Sequence, residues 1–385
     1  MKRSTERILT THAGSLPRPD DILQLMQSAA PLDAAPAAAR LRAAVAEIVD
    51  KQVRLGVDVV DDGEMSKPGF IHYVNERLAG FEPSRDVASG STWARSREVQ
   101  SFPEFYDWFG RVLPSPGATA AHLACTGAIT YKGHARLSAD LENLREALRA
   151  VQPAEAFVPA ISPSDVAEWH RNVFYRTEEE YLFAIAEAMR EEYAAIVAAG
   201  FVLQIDDPRL VTHWILHPEK SLAECRAWCM SRVEALNHAL RDIPEDRVRF
   251  HTCYGINMGP RVHDMELKDV VDILLRVRAG AYSLEAANPR HEHEWRVWTD
   301  VKLPSGKLLI PGVITQSSVL VEHPELVADR IERFANVVGR ENVIAGSDCG
   351  FATFAGSIEI HPTIVWAKLQ ALAEGARIAS RRLWS

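Results

Sequence analysis

Three short phrases in the C-terminal half of the chain contain the side chains with the clearest chemistry. Each phrase ends or follows an apolar run that predicts a β-strand. The phrases are His251-Thr252-Cys253, Leu284-Glu285 and Ser347-Asp348-Cys349-Gly350. On an extended segment, His-x-Cys directs both side chains to the same side. The phrases offer a complete tetrahedral ligand set for Zn²⁺, consisting of His251, Cys253, Glu285 and Cys349.

Two thiolates and a carboxylate would give the bound Zn²⁺ a net charge of about −1. Such a site is a weak Lewis acid for generating hydroxide, so the ligand set disfavours hydrolysis. A substrate thiol can still bind as a thiolate, because the metal lowers its pKa. The anionic ligands keep this sulfur electron-rich, which indicates a sulfur nucleophile for alkyl transfer. A lone buried Cys usually packs in a core, and this is how we interpret Cys125, Cys225 and Cys229.

The elements that must position these side chains repeat as amphipathic helix, glycine and short strand. Glycine after a helix permits the left-handed turn that returns the chain to a strand, as predicted at Gly56, Gly200 and Gly280. The predicted strands are 8–11, 57–61, 156–160, 202–206, 248–252, 281–285, 308–313 and 343–347. Eight strands with intervening helices predict an α/β fold, a (β/α)₈ TIM barrel whose strand ends converge at one face. A doubly wound sheet is the alternative, but no Gly-rich phosphate fingerprint follows the first strand.

We predict a single barrel domain over residues 1–385, with one segment inserted after the second strand. Residues 83–133 are rich in Ser, Pro, Gly and aromatic side chains, and they break the alternation of helices and strands. Long insertions often cover functional sites, so this segment is predicted to be a lid over the barrel mouth. A peripheral hairpin packed by its own aromatic side chains is the alternative.

Composition argues against several classes of protein. The 385 residues include 43 Lys and Arg against 52 Asp and Glu, a net charge of −9 without a basic stripe, so we expect no nucleic-acid partner. No stretch resembles a membrane span or a signal peptide. Five cysteines, an odd number, predict reduced thiols and a cytoplasmic location. The expected partners are a small-molecule thiol and an alkyl donor, and the sequence leaves open whether the chain forms a homo-oligomer.

At His251, Cys253, Glu285 and Cys349 the chain resembles the catalytic barrel of cobalamin-independent methionine synthase. It is more closely similar to the stand-alone barrel proteins of that family, which include relatives that join thiols to epoxides. The resemblance covers nearly the whole chain. Its further motifs lie on the first, second and fourth strands: Thr10-Thr11-His12-Ala13-Gly14-Ser15-Leu16-Pro17-Arg18-Pro19, Asp62-Gly63-Glu64 and Gln204-Ile205-Asp206-Asp207-Pro208.

The resemblance implies a role for each matching residue. The family's zinc ligands correspond to His251, Cys253, Glu285 and Cys349. Ser15 and Glu64 would contact the polar end of an amino-acid substrate, and Asp206 would bind its ammonium group. From the residues alone, Asp206 could instead belong to a cap of the next helix, and Glu64 could be a surface carboxylate.

Three features depart from the family pattern. The chain has no duplicated N-terminal barrel, which in the long synthases helps to hold the polyglutamylated folate, so a folate methyl donor is in doubt. Ser317 stands where the synthases have a histidine associated with proton transfer to the leaving group, so His12 or His323 would have to serve instead. Arg290 and His291 lie in an imidazole-rich loop that would bind an anionic substrate group, unless this loop is a solvated salt-bridge cluster.

These observations predict a zinc-dependent S-alkyltransferase. A thiol such as homocysteine would attack a methyl donor, with Glu64 and Asp206 orienting its polar groups and His12 managing the proton of the leaving group. The alternative keeps zinc but adds the thiol to, or eliminates it from, a non-methyl carbon. A metal hydrolase is disfavoured because it would need His-x-His after the first strand. A purely structural zinc site is disfavoured because such sites are seldom displayed at a barrel mouth.

Overall fold

In the computed structural model, eight parallel strands form a barrel that is surrounded by helices. The structure describes residues 1–28, 34–84, 92–112, 123–255, 259–356 and 360–385. The strands in these ranges are β1 (Leu9–Thr10), β2 (Val59–Val60), β3 (Phe81–Pro83), β4 (Leu123–Cys125), β5 (Glu155–Ile161), β6 (Arg171–Asn172), β7 (Val202–Asp206), β8 (Val248–Thr252), β9 (Ala281–Leu284), β10 (Leu308–Ile314) and β11 (Ile344–Ser347). The barrel order is β1-β11-β10-β9-β8-β7-β5-β2. Each predicted strand overlaps one of these eight, so the predicted (β/α)₈ fold is confirmed and the doubly wound alternative is wrong.

Helices connect and surround the strands. They are α1 (Asp20–Gln27), α2 (Ala35–Arg54), α3 (Val74–Arg77), α4 (Arg97–Ser101), α5 (Pro103–Val112), α6 (His134–Leu148), α7 (Pro163–Trp169), α8 (Glu178–Ala198), α9 (Arg209–Leu216), α10 (Leu222–Ala239), α11 (Val271–Leu274), α12 (Val297–Asp300), α13 (Pro324–Val338) and α14 (Pro362–Leu383). Short 3₁₀ helices cover Thr92–Arg95, Glu245–Arg247, Leu267–Asp269, Glu292–Arg296 and Arg340–Asn342. Of the helices in the described ranges, none is both long enough and apolar enough to cross a bilayer.

Local sequence sets the ends of the long helices. The Thr177 side chain accepts a hydrogen bond from a backbone amide in the first turn of α8, which satisfies a donor without a helical partner. After α2 and α8, Gly56 and Gly200 have φ values of 89° and 96°, as the left-handed turn requires. At Gly280 glycine is needed for a different reason, because a Cβ there would lie 2.8 Å from the carbonyl oxygen of Glu245. This glycine is required by a close approach of two backbones.

The seam between β1 and β2 is closed by side chains and single backbone contacts, without a strand ladder in the described structure. The carboxylate of Asp58 accepts hydrogen bonds from the backbone amide of Thr10 at 2.9 Å and from Arg7 at 2.7 and 2.6 Å. The amide of Asp58 donates to the carbonyl of Thr10 at 3.1 Å. The hydroxyl of Thr11 donates to the carbonyl of Val59 at 2.9 Å. The first strand of the chain is thereby held between the last strand and the second.

The segment between β2 and β5 departs from the barrel. β3 and β4 pair antiparallel, and β6 joins β4 in parallel to complete a small three-stranded sheet. Arg97 of α4 donates to the backbone carbonyls of Trp214, His217 and Lys220, at 2.9, 3.3 and 2.8 Å. The segment therefore binds the last turn of α9 and the chain just beyond it. Residues 85–91 and 113–122 of the predicted insertion lie outside the described residues.

Candidate metal centre

The imidazole and the two thiols predicted as ligands lie together at the C-terminal ends of β8 and β11. One donor atom from each of His251, Cys253 and Cys349 lies within 4.8 Å of the other two. The two Sγ atoms are 3.0 Å apart, and all three residues are buried. Nδ1 of His251 is 3.1 Å from the hydroxyl of Ser283, so Nε2 is the ring nitrogen that can serve as a ligand. This donor set fits Zn²⁺.

Burial and neighbouring charges set the protonation of these groups. Burial, with a smaller effect of Arg249, lowers the pKa of His251 to about 3, so its imidazole is neutral and has a lone pair to donate. The hydrogen bond with Cys349, then burial, and also the carboxylate of Glu285 raise the pKa of Cys253. A thiol in these surroundings keeps its proton unless a cation compensates the negative charge of the thiolate.

Glu285 lies beside this cluster but is bound to its neighbours. Its Oε1 atom accepts a hydrogen bond from the backbone amide of Tyr254 at 2.7 Å. Its Oε2 atom accepts hydrogen bonds from Arg261 at 2.8 Å and from the side chain of Asn288 at 2.7 Å. The structure thus brings three of the predicted ligands together and places the fourth in a buried ion pair. As a ligand, Glu285 would divide its charge between the metal and Arg261.

Arg261 connects Glu285 to a buried row of charges. Its guanidinium lies 2.9 Å from the carboxylate of Asp264. The same carboxylate is 3.0 Å from Nε2 of His291, whose Nδ1 is 2.7 Å from Glu294. Burial opposes protonation of His291, but the hydrogen bonds with Asp264 and Glu294 outweigh it and raise its pKa to about 9. His291 is therefore a buried cation with both ring nitrogens paired, and no ring nitrogen is available for the substrate anion that we predicted it to bind.

Asp348 ties the loop of Glu285 to the strand end of Cys349. Its carboxylate oxygens accept hydrogen bonds from the backbone amides of residues 286–288 at 2.7 to 2.9 Å. Gly312 of β10 makes room for this carboxylate, because a Cβ there would lie 2.1 Å from Oδ1 of Asp348. Sequence reasoning missed this positioning role. The available signal was a buried acidic residue directly before a candidate ligand.

Two predicted substrate-binding residues, Glu64 and Asp206, lie in one buried acidic region. Glu64 has a φ of 57°, which is rare outside glycine and is often found at functional sites, and its carboxylate is 3.4 Å from Nζ of Lys67. Asp206, at the end of β7, accepts a hydrogen bond from Gln204 at 2.7 Å. Burial, followed by the charge of Glu64, raises the pKa of Asp206. A cationic group placed between the two carboxylates would reverse this shift.

Ser15 lies against the loop that follows Cys349. Its carbonyl accepts a hydrogen bond from the amide of Phe351 at 2.9 Å, and its hydroxyl accepts one from the amide of Ala352 at 3.3 Å. A Cβ at Gly350 would lie 2.1 Å from this hydroxyl, so a larger residue there would displace the Ser15 side chain. The loop after β1 therefore packs directly on the loop that carries the second thiol.

His12 lies inside the barrel, where it is 1% exposed. Its Nε2 is 2.8 Å from the side-chain oxygen of Gln52, and its Nδ1 accepts a hydrogen bond from the amide of Gly14 at 3.1 Å. Burial lowers its pKa to about 4. To transfer a proton, His12 would have to break one of these bonds. Its position is better suited to orienting the first-strand loop than to the predicted catalytic role.

The remaining predicted residues lie near the rim of the barrel. The hydroxyl of Ser317 is 2.8 Å from that of Thr315. Nδ1 of His323 accepts a hydrogen bond from a backbone amide in the first turn of α13, at 3.2 Å, so this imidazole is used as a helix cap. Arg290 is partly exposed and donates to the carbonyl of Val262 at 2.8 Å. Of the two residues predicted to bind an anion, Arg290 is the one that remains accessible.

Known proteins match this chain over most of its length. The family model for the catalytic domain of cobalamin-independent synthase matches residues 8–101 and 163–364. The chain belongs to this family. Among the curated members, the methionine synthases of Thermococcus kodakarensis and Saccharolobus solfataricus are each 24% identical over 379 residues. These matches cover 97% of this chain and 94% and 95% of the two relatives.

Solved structures of cobalamin-independent synthases share the fold. A B12-independent methionine synthase from a Shewanella species, in complex with selenomethionine, has a TM-score of 0.70 at 19% identity and covers 98% of this chain and 99% of its own. A Listeria monocytogenes protein, provisionally named a vitamin-B12-independent methionine synthase, has a TM-score of 0.65 at 18% identity and covers 97% of this chain and 98% of its own. At these identities the likeness shows the barrel architecture and does not specify a substrate.

Proposed function

We propose that this cobalamin-independent synthase homologue is a zinc-dependent S-methyltransferase that transfers a methyl group to a thiol such as homocysteine. The observation that carries the proposal is the buried cluster of His251, Cys253 and Cys349, with donor atoms within 4.8 Å of one another. These residues would hold zinc together with Glu285. When bound, zinc supplies Lewis acidity that lowers the pKa of a substrate thiol and makes it nucleophilic at neutral pH.

The acidic region would bind the amino-acid part of the thiol substrate. An ammonium group between Glu64 and Asp206 would stabilise both carboxylates in their charged forms. Ser15, beside the loop of Cys349, would contact the polar end of the same molecule. Binding at both places would direct the substrate sulfur towards the thiol pair and hold it in line with the methyl donor. Orienting the two reacting groups in this way lowers the activation barrier.

The inserted segment 83–133 is proposed to exclude water from this mouth. Arg97 supports the proposal, because it fixes α4 to the carbonyl of Trp214 in α9 and to those of His217 and Lys220 just beyond it. α9 follows β7, the strand that ends at Asp206. A segment bound here is therefore close in the fold to the strand end that would hold the substrate ammonium.

The alternative reaction, thiol addition to or elimination from a non-methyl carbon, has less support than methyl transfer. We predicted it from an anion site at Arg290 and His291, but His291 is paired with Asp264 and Glu294. The single barrel also does not argue against methyl transfer. The two archaeal proteins named methionine synthase match this chain over 94% and 95% of their own lengths.

The test is a direct assay of the zinc-loaded protein with homocysteine. 5-Methyltetrahydrofolate would be supplied in monoglutamate and polyglutamate forms, and methionine would be quantified by mass spectrometry. We expect methionine to form, and we expect Cys253→Ser and Cys349→Ser to lose the zinc of the thiol site together with the activity. Cys225→Ser, which removes a buried thiol from α10, is the matched control and should keep both.

Two results would overturn the proposal. If the protein forms thioethers with epoxides or other non-methyl electrophiles and reacts with no methyl donor, the alternative reaction is established. Unchanged zinc content in both serine variants would refute the ligand assignment, whatever the activity.

A further inference from the structure

A second group of metal-binding side chains lies outside the site described above. Glu168 is in α7, His213 is in α9, and His217 is the residue directly after α9. One donor atom from each lies within 4.8 Å of the other two. We propose that these three residues bind a second divalent cation, for which zinc matches the donor set of two imidazoles and one carboxylate.

His213 provides the first argument, because its burial is otherwise unexplained. The residue is 2% exposed, and within the described part of the chain neither ring nitrogen has a hydrogen-bond partner. A buried polar group without a partner is costly, and a bound cation would satisfy one of these nitrogens. The indole of Trp228 stacks on the ring with centroids 3.8 Å apart and planes at 8°, which holds the imidazole in place. Burial also lowers the pKa of His213 to about 3, so at neutral pH the ring is uncharged and one of its nitrogens has a lone pair to donate.

His217 provides the second argument, because its two nitrogens are already oriented for metal binding. Nδ1 is 3.0 Å from the carboxylate of Glu219, and Nε2 points to the carboxylate of Glu168 at 3.2 Å. A carboxylate on one ring nitrogen and a metal on the other is the arrangement that recurs around histidine ligands. Histidines at positions i and i+4, as in His213 and His217, lie on one face of a helix.

The surroundings allow a cation and leave it open to solvent. The side chains of His217 and Glu168 are 21% and 16% exposed, so a water molecule can occupy a fourth position. Arg209, Lys220 and Arg232 are cations near the cluster that oppose binding. Arg209 lies 3.6 Å from the carboxylate of Asp165, and Arg232 is paired with Glu178. The carboxylate of Glu168 would replace its hydrogen bond to His217 with a metal bond.

This site would connect three parts of the fold. A cation would join α7 to the end of α9, and Arg97 of the inserted segment already binds the carbonyl of His217. The metal would thus fix the base on which the insertion rests. It would do so without touching the thiol site.

Metal titration of the full-length protein, stripped with a chelator and reloaded with Co²⁺, tests this proposal. Cobalt bound to thiolates gives intense charge-transfer absorption, whereas cobalt bound to imidazole and carboxylate gives only weak ligand-field bands. We expect two equivalents per chain in the wild type. His217→Gln, and separately His213→Phe, which keeps the stacking on Trp228, should each lose one equivalent while the charge-transfer band is unchanged.

The controls separate this site from the thiol site. The Cys253→Ser/Cys349→Ser double variant should lose the charge-transfer band, keep one equivalent and gain thermal stability when the metal is added. His238→Gln removes another helical imidazole that faces a glutamate, Glu187, and should keep both equivalents. Equal metal content in the wild type, His217→Gln and His213→Phe would overturn the proposal.

Discussion

Glu285 takes part in two charge pairs in the proposed site, one with the metal and one with Arg261. In the structure, Arg261 is 5% exposed and lies between the carboxylates of Glu285 and Asp264. Removing one partner of a buried ion pair leaves the other charge without compensation, which is the most costly way to change such a pair.

Arg261→Met should therefore destabilise the protein in a way that depends on zinc. Without zinc, we expect the free energy of unfolding to fall by about 3–5 kcal/mol. With zinc, the loss should be clearly smaller, because the metal replaces the charge of Arg261 beside Glu285. Urea unfolding with and without zinc measures both values. Arg54→Met, at an arginine side chain that is 77% exposed, is the control and should change little. An equal loss in both conditions would argue against Glu285 as a ligand.

His291 makes the stability of the protein depend on pH. Its pKa is raised from 6.5 to about 9 by Asp264 and Glu294, despite its burial. Because the folded protein holds this proton more tightly than the unfolded chain, the stabilisation is complete below pH 6.5 and is lost as the pH rises through about 9. The shift corresponds to roughly 3 kcal/mol. His291→Gln should lose this amount at low pH, and the difference from the wild type should shrink between these two values in unfolding experiments. A difference that is constant with pH would contradict a charged His291.

The sequence pointed to the proposed metal ligands more clearly than to the residues that surround them. The proposed ligands have side chains that are rare and recognisable at strand ends. Arg18, in contrast, could not be interpreted from sequence, although its guanidinium donates to the carbonyls of Ala352, Glu64 and Lys67 at 2.8 to 2.9 Å. Its partners are backbone atoms, which leave no trace in residue type. Arg261 was missed for a related reason, since its partners are known only once the fold brings them together.

At the level of strands and helices, the hydrophobic pattern of the sequence was sufficient to locate the barrel strands. β7 and β8 have the predicted bounds, and the other barrel strands overlap their predicted segments. β2 is the shortest relative to its prediction, at Val59–Val60 against 57–61. Asp58 explains the difference, because its side chain and amide bond to Thr10 at the seam and not in a regular ladder. Such irregular pairing depends on the closed barrel and has no local signal.

Gly312 in β10 is the element-scale position most sensitive to change. A Cβ there would lie 2.1 Å from Oδ1 and 2.7 Å from the backbone nitrogen of Asp348, and the backbone cannot rotate away. Gly312→Ala should displace Asp348 and, with it, Cys349. We expect zinc affinity to fall by about 10- to 100-fold, as for other residues that orient metal ligands. Gly110→Ala in α5, where a Cβ would meet nothing within 4 Å among the described residues, is the control. Competition with a zinc chelator measures the affinity, and equal values for the two variants would contradict this role.

At the scale of the whole molecule, the barrel depends on one carboxylate at its seam. Asp58→Ala would leave the amide of Thr10, which is 2% exposed, without its side-chain acceptor. We expect the free energy of unfolding to fall by about 2 kcal/mol, since a buried donor loses its partner. Asp50→Ala removes a surface carboxylate paired with Arg54 and should change stability by less than about 0.5 kcal/mol. Chemical unfolding of both variants decides this, and similar values would show that the seam does not need Asp58.

The pairing of β1 with β11 would also limit when the proposed metal site can form during synthesis. Leu9 and Thr10 pair with Ile344 and Ala345, so β1 must wait until β11 has been synthesised before its ladder can form. Cys349 follows that last strand directly. A growing chain can therefore present His251 and Cys253 but not the complete ligand set. Metal uptake at the thiol site would then follow the synthesis of β11 and would report that the barrel has closed.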